Sequence, residues 1–281
     1  MEQPTVDTRP ARPNGAQPAP GPLPWRAVAL PTEHGGWGLL GEPVALGLVL
    51  APSAAGVCLG LSALAGFLSR HPLRLVFMDR RRGVRYPRTS LAERFFTGDA
   101  LTAVSFLAAA FVLAKAPFWP ALLAVAPFAG AALVYDARGR SREAAAEASG
   151  AVALSSAAAA ISLAGGAPLA VAFAAWALLA MRALTSVLYV RARIRLDRGL
   201  PSGRGLALGG HAVALVVTGA LVRAGCAPWL AAAAFIVLLA RAAGGLSRWR
   251  RPVRPQQLGF QELGYGLLTL ALVSAGYLAG L

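Results

Sequence analysis

Charge is scarce in this sequence, and negative charge scarcest: 14% of the 281 residues are charged, with 12 Asp and Glu against 27 Lys and Arg. Soluble globular domains typically carry about 25% charged residues, so a soluble fold is excluded. The 57% hydrophobic content points instead to an all-α polytopic membrane protein. Only two cysteines occur, Cys58 and Cys226, both inside apolar runs and without ligand spacing; they suit small packing positions and imply neither a disulfide nor a metal. A Walker phosphate loop, a dinucleotide glycine fingerprint, a zinc spacing and a nucleophile elbow are all missing from the sequence, which removes those chemistries. No apolar run of signal-peptide length opens the chain. Residues 1–31 hold eight of the twenty prolines and are expected to form a disordered cytoplasmic tail, leaving 32–281 as one transmembrane domain.

What the sequence does have is arginine, and its distribution sets the topology. RHPLRLVFMDRRRGVRYPR, from Arg70 to Arg88, places seven arginines between two apolar segments. A Lys or Arg at the bilayer centre costs at least about 2.5 kcal/mol, so this stretch is expected as a loop at a membrane face. Apolar segments are bracketed at about 32–50, 54–68, 91–114, 118–135, 144–164, 169–190, 206–222, 229–243 and 263–281, nine in all. Each is near the ~20 residues that cross a bilayer. Basic residues crowd the connections after the second, fourth, sixth and eighth segments, while the alternate connections hold only Lys115 and Arg223. The positive-inside rule then puts the amino terminus in the cytoplasm and the carboxyl terminus outside. A net charge of +15 would suit nucleic acid in a soluble domain; parcelled out between apolar runs, it is a topology signal and an attraction for anionic lipid head groups, with no nucleic-acid partner. Ala and Gly saturate the segments, as in AVALSSAAAAISLAGG from Ala151 to Gly166, which predicts close helix packing.

Polar residues that invite chemistry gather near the arginine-rich ends. Arg182, Thr185, Ser186, Tyr189 and Arg193 recur at helical spacing, forming one stripe that either walls an anion-attracting cavity or bonds neighbouring helices. Glu143 and Glu147 lie one turn apart, favouring a helix N-terminus, answering an arginine from another loop or helping to hold a cation. Glu42 lies within the first segment beside Pro43; an intramembrane carboxylate is either a functional group or half of a structural ion pair. Glu33 and His34 stand at the mouth of that segment, where His34 is either a proton donor and acceptor or a helix-start hydrogen bonder. RARIRLDRG, Arg191 to Gly199, is expected as a loop whose arginines either suit a diphosphate or phospholipid head group or serve only as a topology signal that needs no ligand.

The opening PTEHGGWGLLGEP, with Pro31, Glu33, His34, Gly35 and Trp37, together with RHPLRL and its basic sequel, resembles the YwiC-like family of bacterial membrane proteins, which implies a bacterial cytoplasmic membrane. A more distant resemblance is to the UbiA superfamily of intramembrane prenyltransferases. YDARGRSREAAAEASG, Tyr135 to Gly150, looks like the basic loop between that superfamily's fourth and fifth helices. VLYVRARIRLDRG, Val187 to Gly199, looks like its second acidic motif, with Asp197 as the final acid. The resemblance implies a nine-helix UbiA-like bundle, a site at the cytoplasmic ends, an isoprenoid diphosphate and magnesium. Two departures count against ordinary transfer: only Asp79 stands where two or three acids are expected, and Arg193 replaces the acid four residues before Asp197. A magnesium diphosphate site needs several carboxylate oxygens. Two functions are carried forward. In the first, a UbiA-like protein with altered or lost prenyl or lipid transferase chemistry binds an anionic lipid or isoprenoid phosphate in a basic cytoplasmic cavity through Arg74, Asp79, Arg138, Arg140, Arg182, Tyr189, Arg191, Arg193, Arg195 and Asp197, while Glu33, His34 and Glu42 handle a proton or a polar part of the substrate. The second is a transporter or non-catalytic scaffold.

Overall fold

The computed structural model describes residues 25–30 and 35–281, and the regular structure among the described residues is all helix. Eleven helices are described: α1 (Trp25–Ala29), α2 (Gly35–Leu50), α3 (Ala54–Arg81), α4 (Pro87–Leu113), α5 (Trp119–Ala137), α6 (Ala144–Ser155), α7 (Ala157–Ala164), α8 (Leu169–Asp197), α9 (Arg204–Arg223), α10 (Trp229–Gly245) and α11 (Pro255–Ala279). Six helical runs among them are long and apolar enough to cross a membrane: α4, α5, the α6–α7 run, α8, α9 and α11. The apolar helices α2 and α10 are shorter. The chain is therefore a multi-pass membrane protein. Most of the tail expected to be disordered lies outside the described residues. Its last part, α1, is helical and lays Val28 against Val76 of α3 and Ala92 of α4.

Two stretches expected as loops are helix. α3 runs on to Arg81, so only residues 82–86 connect it to α4, and α8 continues through RARIRLD to Asp197. The physical reason is that arginine is a good helix former. Charge stops a segment from being in hydrocarbon without stopping its backbone from hydrogen-bonding. The helices end where the chain offers glycine, with Gly83 at φ 65° and Gly199 at φ 70°, the left-handed conformation that closes a helix. The segment expected at 144–164 bends at Ser156, dividing it into α6 and α7. Ser155 Oγ and Ser156 Oγ there donate to the carbonyls of Ala151 and Ala153, a back-bonding that bends helices.

Small residues decide the packing. α7 is buried from Ala158 to Ala164 and sits at the centre of the bundle. A Cβ on Gly47 of α2 would come within 2.7 Å of Ile161 Cβ, and one on Gly165 would strike the Ala51 carbonyl. Around this seam, Phe118, Trp176 and Ile161 fill one cluster, and Leu46, Leu178, Phe235 and Val273 another. Trp176 Nε1 donates to the Val152 carbonyl at 2.9 Å, tying α8 to α6.

The arginine-rich connections are stitched together at one end of the bundle. Arg70 of α3 grips Asp136 of α5 through Nε to Oδ2 (2.5 Å) and Nη2 to Oδ1 (3.1 Å), and Arg81 Nη1 donates to the Ala137 carbonyl at 2.7 Å. Arg191 of α8 reaches the α5–α6 connection at the Arg142 carbonyl (3.1 Å) and Glu147 of α6 (2.8 Å). Arg193 donates to the carbonyls of Gly245 and Arg251, and Arg250 Nε donates to Asp197 Oδ1 at 3.0 Å. The opposite end closes on hydrogen bonds to main-chain carbonyls instead. Lys115 N donates to the Ala164 carbonyl at 2.9 Å and Tyr277 Oη to the Cys226 carbonyl at 2.8 Å. Exposed tryptophans mark both ends, Trp25 and Trp249 at the arginine-rich one, Trp119 and Trp229 at the other, as interfacial belts do.

Candidate functional site

Inside the bundle, toward the arginine-rich end, five helices bring ionisable side chains together. Glu42 of α2 and Arg182 of α8 are each 5% exposed, with Glu42 Oε1 3.3 Å from Arg182 Nη2. Arg182 Nη2 donates to the Glu262 carbonyl of α11 at 2.6 Å. The Glu262 carboxylate is doubly served: Ser186 Oγ donates to Oε2 at 2.5 Å, and Arg241 of α10 donates to Oε1. Arg241 in turn lies 3.9 Å over the ring of Tyr189 and 5.1 Å from that of Tyr265, a cation–π sandwich that offsets desolvation of the guanidinium. Its Nη2 is 3.4 Å from His211 Nε2 on α9. His211 Nδ1 lies 2.8 Å from the Ala207 carbonyl. A carbonyl only accepts, so Nδ1 carries the proton and Nε2 is left to accept from Arg241. With His211 neutral, two carboxylates face two guanidiniums and the cluster balances. Glycine makes the room: a Cβ on Gly266 would collide with Glu42 Oε1 and Arg182 Nη2.

The remaining candidates lie at the rim. Asp79 is fully buried beneath the α3–α4 turn, taking Arg88 Nη2 on Oδ1 (2.8 Å) and Thr89 Oγ1 on Oδ2 (2.8 Å). The hydrogen bonds from Arg88 hold its carboxyl below the ordinary carboxylate range. Asp197 is shared by Arg193 (3.2 Å) and Arg250 (3.0 Å). Arg195 Nε donates to the Pro201 carbonyl at 2.6 Å, and Arg140 pairs with Glu143 while lying 5.8 Å from the Tyr135 ring. Arg74 is half-buried and Arg138 exposed; neither makes a side-chain ion pair or hydrogen bond to another described residue. Glu33 and His34 lie outside the described residues. Thus Glu42, Arg182 and Tyr189 come together in the buried cluster, and the other described candidates spread along the rim. A shallow depression of about 290 Å³ at the α3–α4 turn is lined by Arg80, Arg85, Thr89 and Glu93.

Magnesium does not suit the residues present. Both oxygens of Asp79 and both of Asp197 already take hydrogen bonds or ion pairs from arginine or threonine. Among the described residues no group of three or more His, Cys, Asp or Glu is arranged to hold a metal ion. The ion demands several oxygen ligands converging on one point, whereas Asp79 and Asp197 are each the lone acid in a set of arginines.

Three members of the buried cluster escape a residue-by-residue inspection of the sequence. Arg241 looks like one more topology arginine, Glu262 like a polar residue at a helix start, and His211 like an isolated histidine. The available signal was their place inside or beside apolar runs, since an ionisable group there demands a partner.

The amino-terminal half of the chain has relatives. Residues 30–162 match the family of YwiC-like proteins. The YwiC-like segment runs from α2 to α7 and supplies Glu42, Asp79, Asp136 and Glu147; Arg182, His211, Arg241 and Glu262 follow it in the chain. No curated protein and no solved structure matches the chain.

Proposed function

We propose that this is a nine-span, UbiA-like protein of the bacterial cytoplasmic membrane that holds a phosphate-bearing amphiphile, an anionic phospholipid or an isoprenoid phosphate, at its arginine-rich cytoplasmic end. In this reading no magnesium-dependent prenyl transfer takes place. In their described residues, eight of the nine apolar segments coincide with one helix or the apolar part of one, and the other with the α6–α7 run, which supports the span count. The positive-inside rule supports a cytoplasmic rim. One observation carries the proposal: the described acids of the rim are already matched by arginines, yet Arg74, one turn beyond Arg70, and Arg138, two residues beyond Asp136, have no side-chain partner among the described residues. Planar guanidiniums in excess over carboxylates are what a phosphate seeks. Arg140, Arg191 and Arg195 are poised to exchange their surface partners for such a head group, whereas Arg193 and Asp197 hold the rim in shape. Glu33, His34 and Glu42 would attend to a proton or to a polar part of the ligand.

Native mass spectrometry of the purified protein tests this. Anionic lipid or prenyl phosphate should be retained, and the Arg74→Ala, Arg138→Ala double variant should lose it several-fold while zwitterionic lipid is unchanged. Equal retention by the variant overturns the assignment. A second reading, a transporter, is favoured by the buried Glu42–Arg182–Glu262–Arg241 chain, since ionisable groups inside a bundle mark ion and substrate pathways. Solute uptake into proteoliposomes that Glu42→Gln abolishes would select it over the first.

A further inference from the structure

The charged cluster is unequally satisfied, and the inequality points to one oxygen. Glu262 accepts from Arg241 and Ser186 on its two carboxylate oxygens, and Arg241 is flanked by two tyrosine rings. Glu42 Oε1 is buried and has no hydrogen-bond partner among the described residues. Arg182 stands 3.3 Å away, but its Nη2 donates to the Glu262 main chain at 2.6 Å. A Coulombic contact remains without a donated hydrogen. An anionic oxygen left this way inside a bundle is costly.

The surroundings limit what else can satisfy it. Oε1 faces two helix positions without side chains: Gly38, whose Cβ would stand 3.6 Å away, and Gly266, whose Cβ would collide with it. The ionisable groups facing Glu42 are Arg182 from α8 and Glu262 from α11. Of the other helices packed on α2, α7 carries no ionisable side chain, Glu147 of α6 faces Arg191, and Arg70 of α3 grips Asp136. A proton is the smallest species that satisfies the oxygen.

We infer that Glu42 is a proton-binding site in the membrane interior, and that its occupancy decides whether α2 is charge-tied to α8. Loading adds one proton from water to Oε1 and takes the cluster from neutral to a single positive charge; unloading returns that proton. In the loaded form Arg182 keeps its bond to the Glu262 carbonyl and loses its attraction to α2. The site stands on the buried chain, apart from the rim arginines, and holds whether or not a lipid phosphate binds there.

Carbodiimide labelling of wild-type protein in lipid nanodiscs tests the inference without a variant, because a hydrophobic carbodiimide reacts with protonated carboxyl groups in apolar surroundings. Mass mapping should place the adduct on Glu42, with a several-fold rise in yield from mildly alkaline to mildly acidic pH, and leave Glu262 unlabelled. Infrared difference spectra across the same range should show a carboxylic-acid carbonyl band that Glu42→Gln removes and Glu262→Gln keeps. No adduct on Glu42 at any pH, or a band that survives Glu42→Gln, overturns it. Because labelling is done on the wild type, misfolding of a variant leaves the decision intact.

Discussion

Removing the Glu262 carboxylate would strand Arg241 and leave Ser186 without its acceptor. Breaking a buried pair from one side typically costs about 3–5 kcal/mol, so Glu262→Ala should lower the melting temperature in detergent sharply, and Glu262→Gln, which keeps an acceptor for Ser186, less so. Asp79 makes a different prediction. Its carboxyl is held below the ordinary value of 3.8 by Arg88. A depressed carboxylate contributes stability that is present above its unfolded pKa and disappears as pH falls through the folded one. The α3–α4 turn should therefore be firm at neutral pH and loosen only in strong acid. Asp79→Asn should raise hydrogen exchange at residues 82–89 at neutral pH and abolish that acid response. At this scale the sequence was half legible. Glu42 stood out because a carboxylate in an apolar run must be explained. Arg182 stood out too, but its pairing with Glu42 did not, because helical spacing relates residues within one helix, whereas these two approach from different helices. Arg241 and Glu262 were hidden by lying near segment ends, where charges are ordinary.

For the helices, their apolar, membrane-spanning character was legible and their extent was not. Apolar length says how much of a helix lies in hydrocarbon; α3 and α8 overrun that length on arginine-rich turns, which sequence patterning assigned to loops. The overrun gives the rim its geometry, since Arg70, Arg191 and Arg193 hold fixed angular positions on helices and so reach defined carbonyls and carboxylates. Close packing was legible in the Ala and Gly content, although the particular contacts were not. Gly165→Ala should destabilise the fold, because its Cβ would meet the Ala51 carbonyl. Gly41→Ala, in a helix with nothing within 4 Å of the added carbon, should be neutral or gain about 0.5–1 kcal/mol from the lower backbone entropy of alanine. Paired melting curves check both.

Across the whole molecule, sidedness is what the arginines encode. In intact cells, single cysteines placed at 82, 138, 198 and 248, in a chain lacking Cys58 and Cys226, should be labelled from one side only. Cysteines at 115 and 223 should be labelled from the other. Reversal at any one position would disprove the alternation. The grouping of the arginine-rich connections at one end of the bundle was legible in the sequence because arginine is counted loop by loop. The internal charge chain was not, since it exists only once distant helices have packed.

The pairing of Glu42 with Arg182 also has a consequence in time. Ribosomes deliver α2 to the membrane long before α8, so during biogenesis the carboxylate must wait, unescorted, while α3 to α7 are made. Nascent chains halted ahead of Arg182 would carry an orphan acid and should be favoured prey for membrane proteases; those extended past α11 should escape.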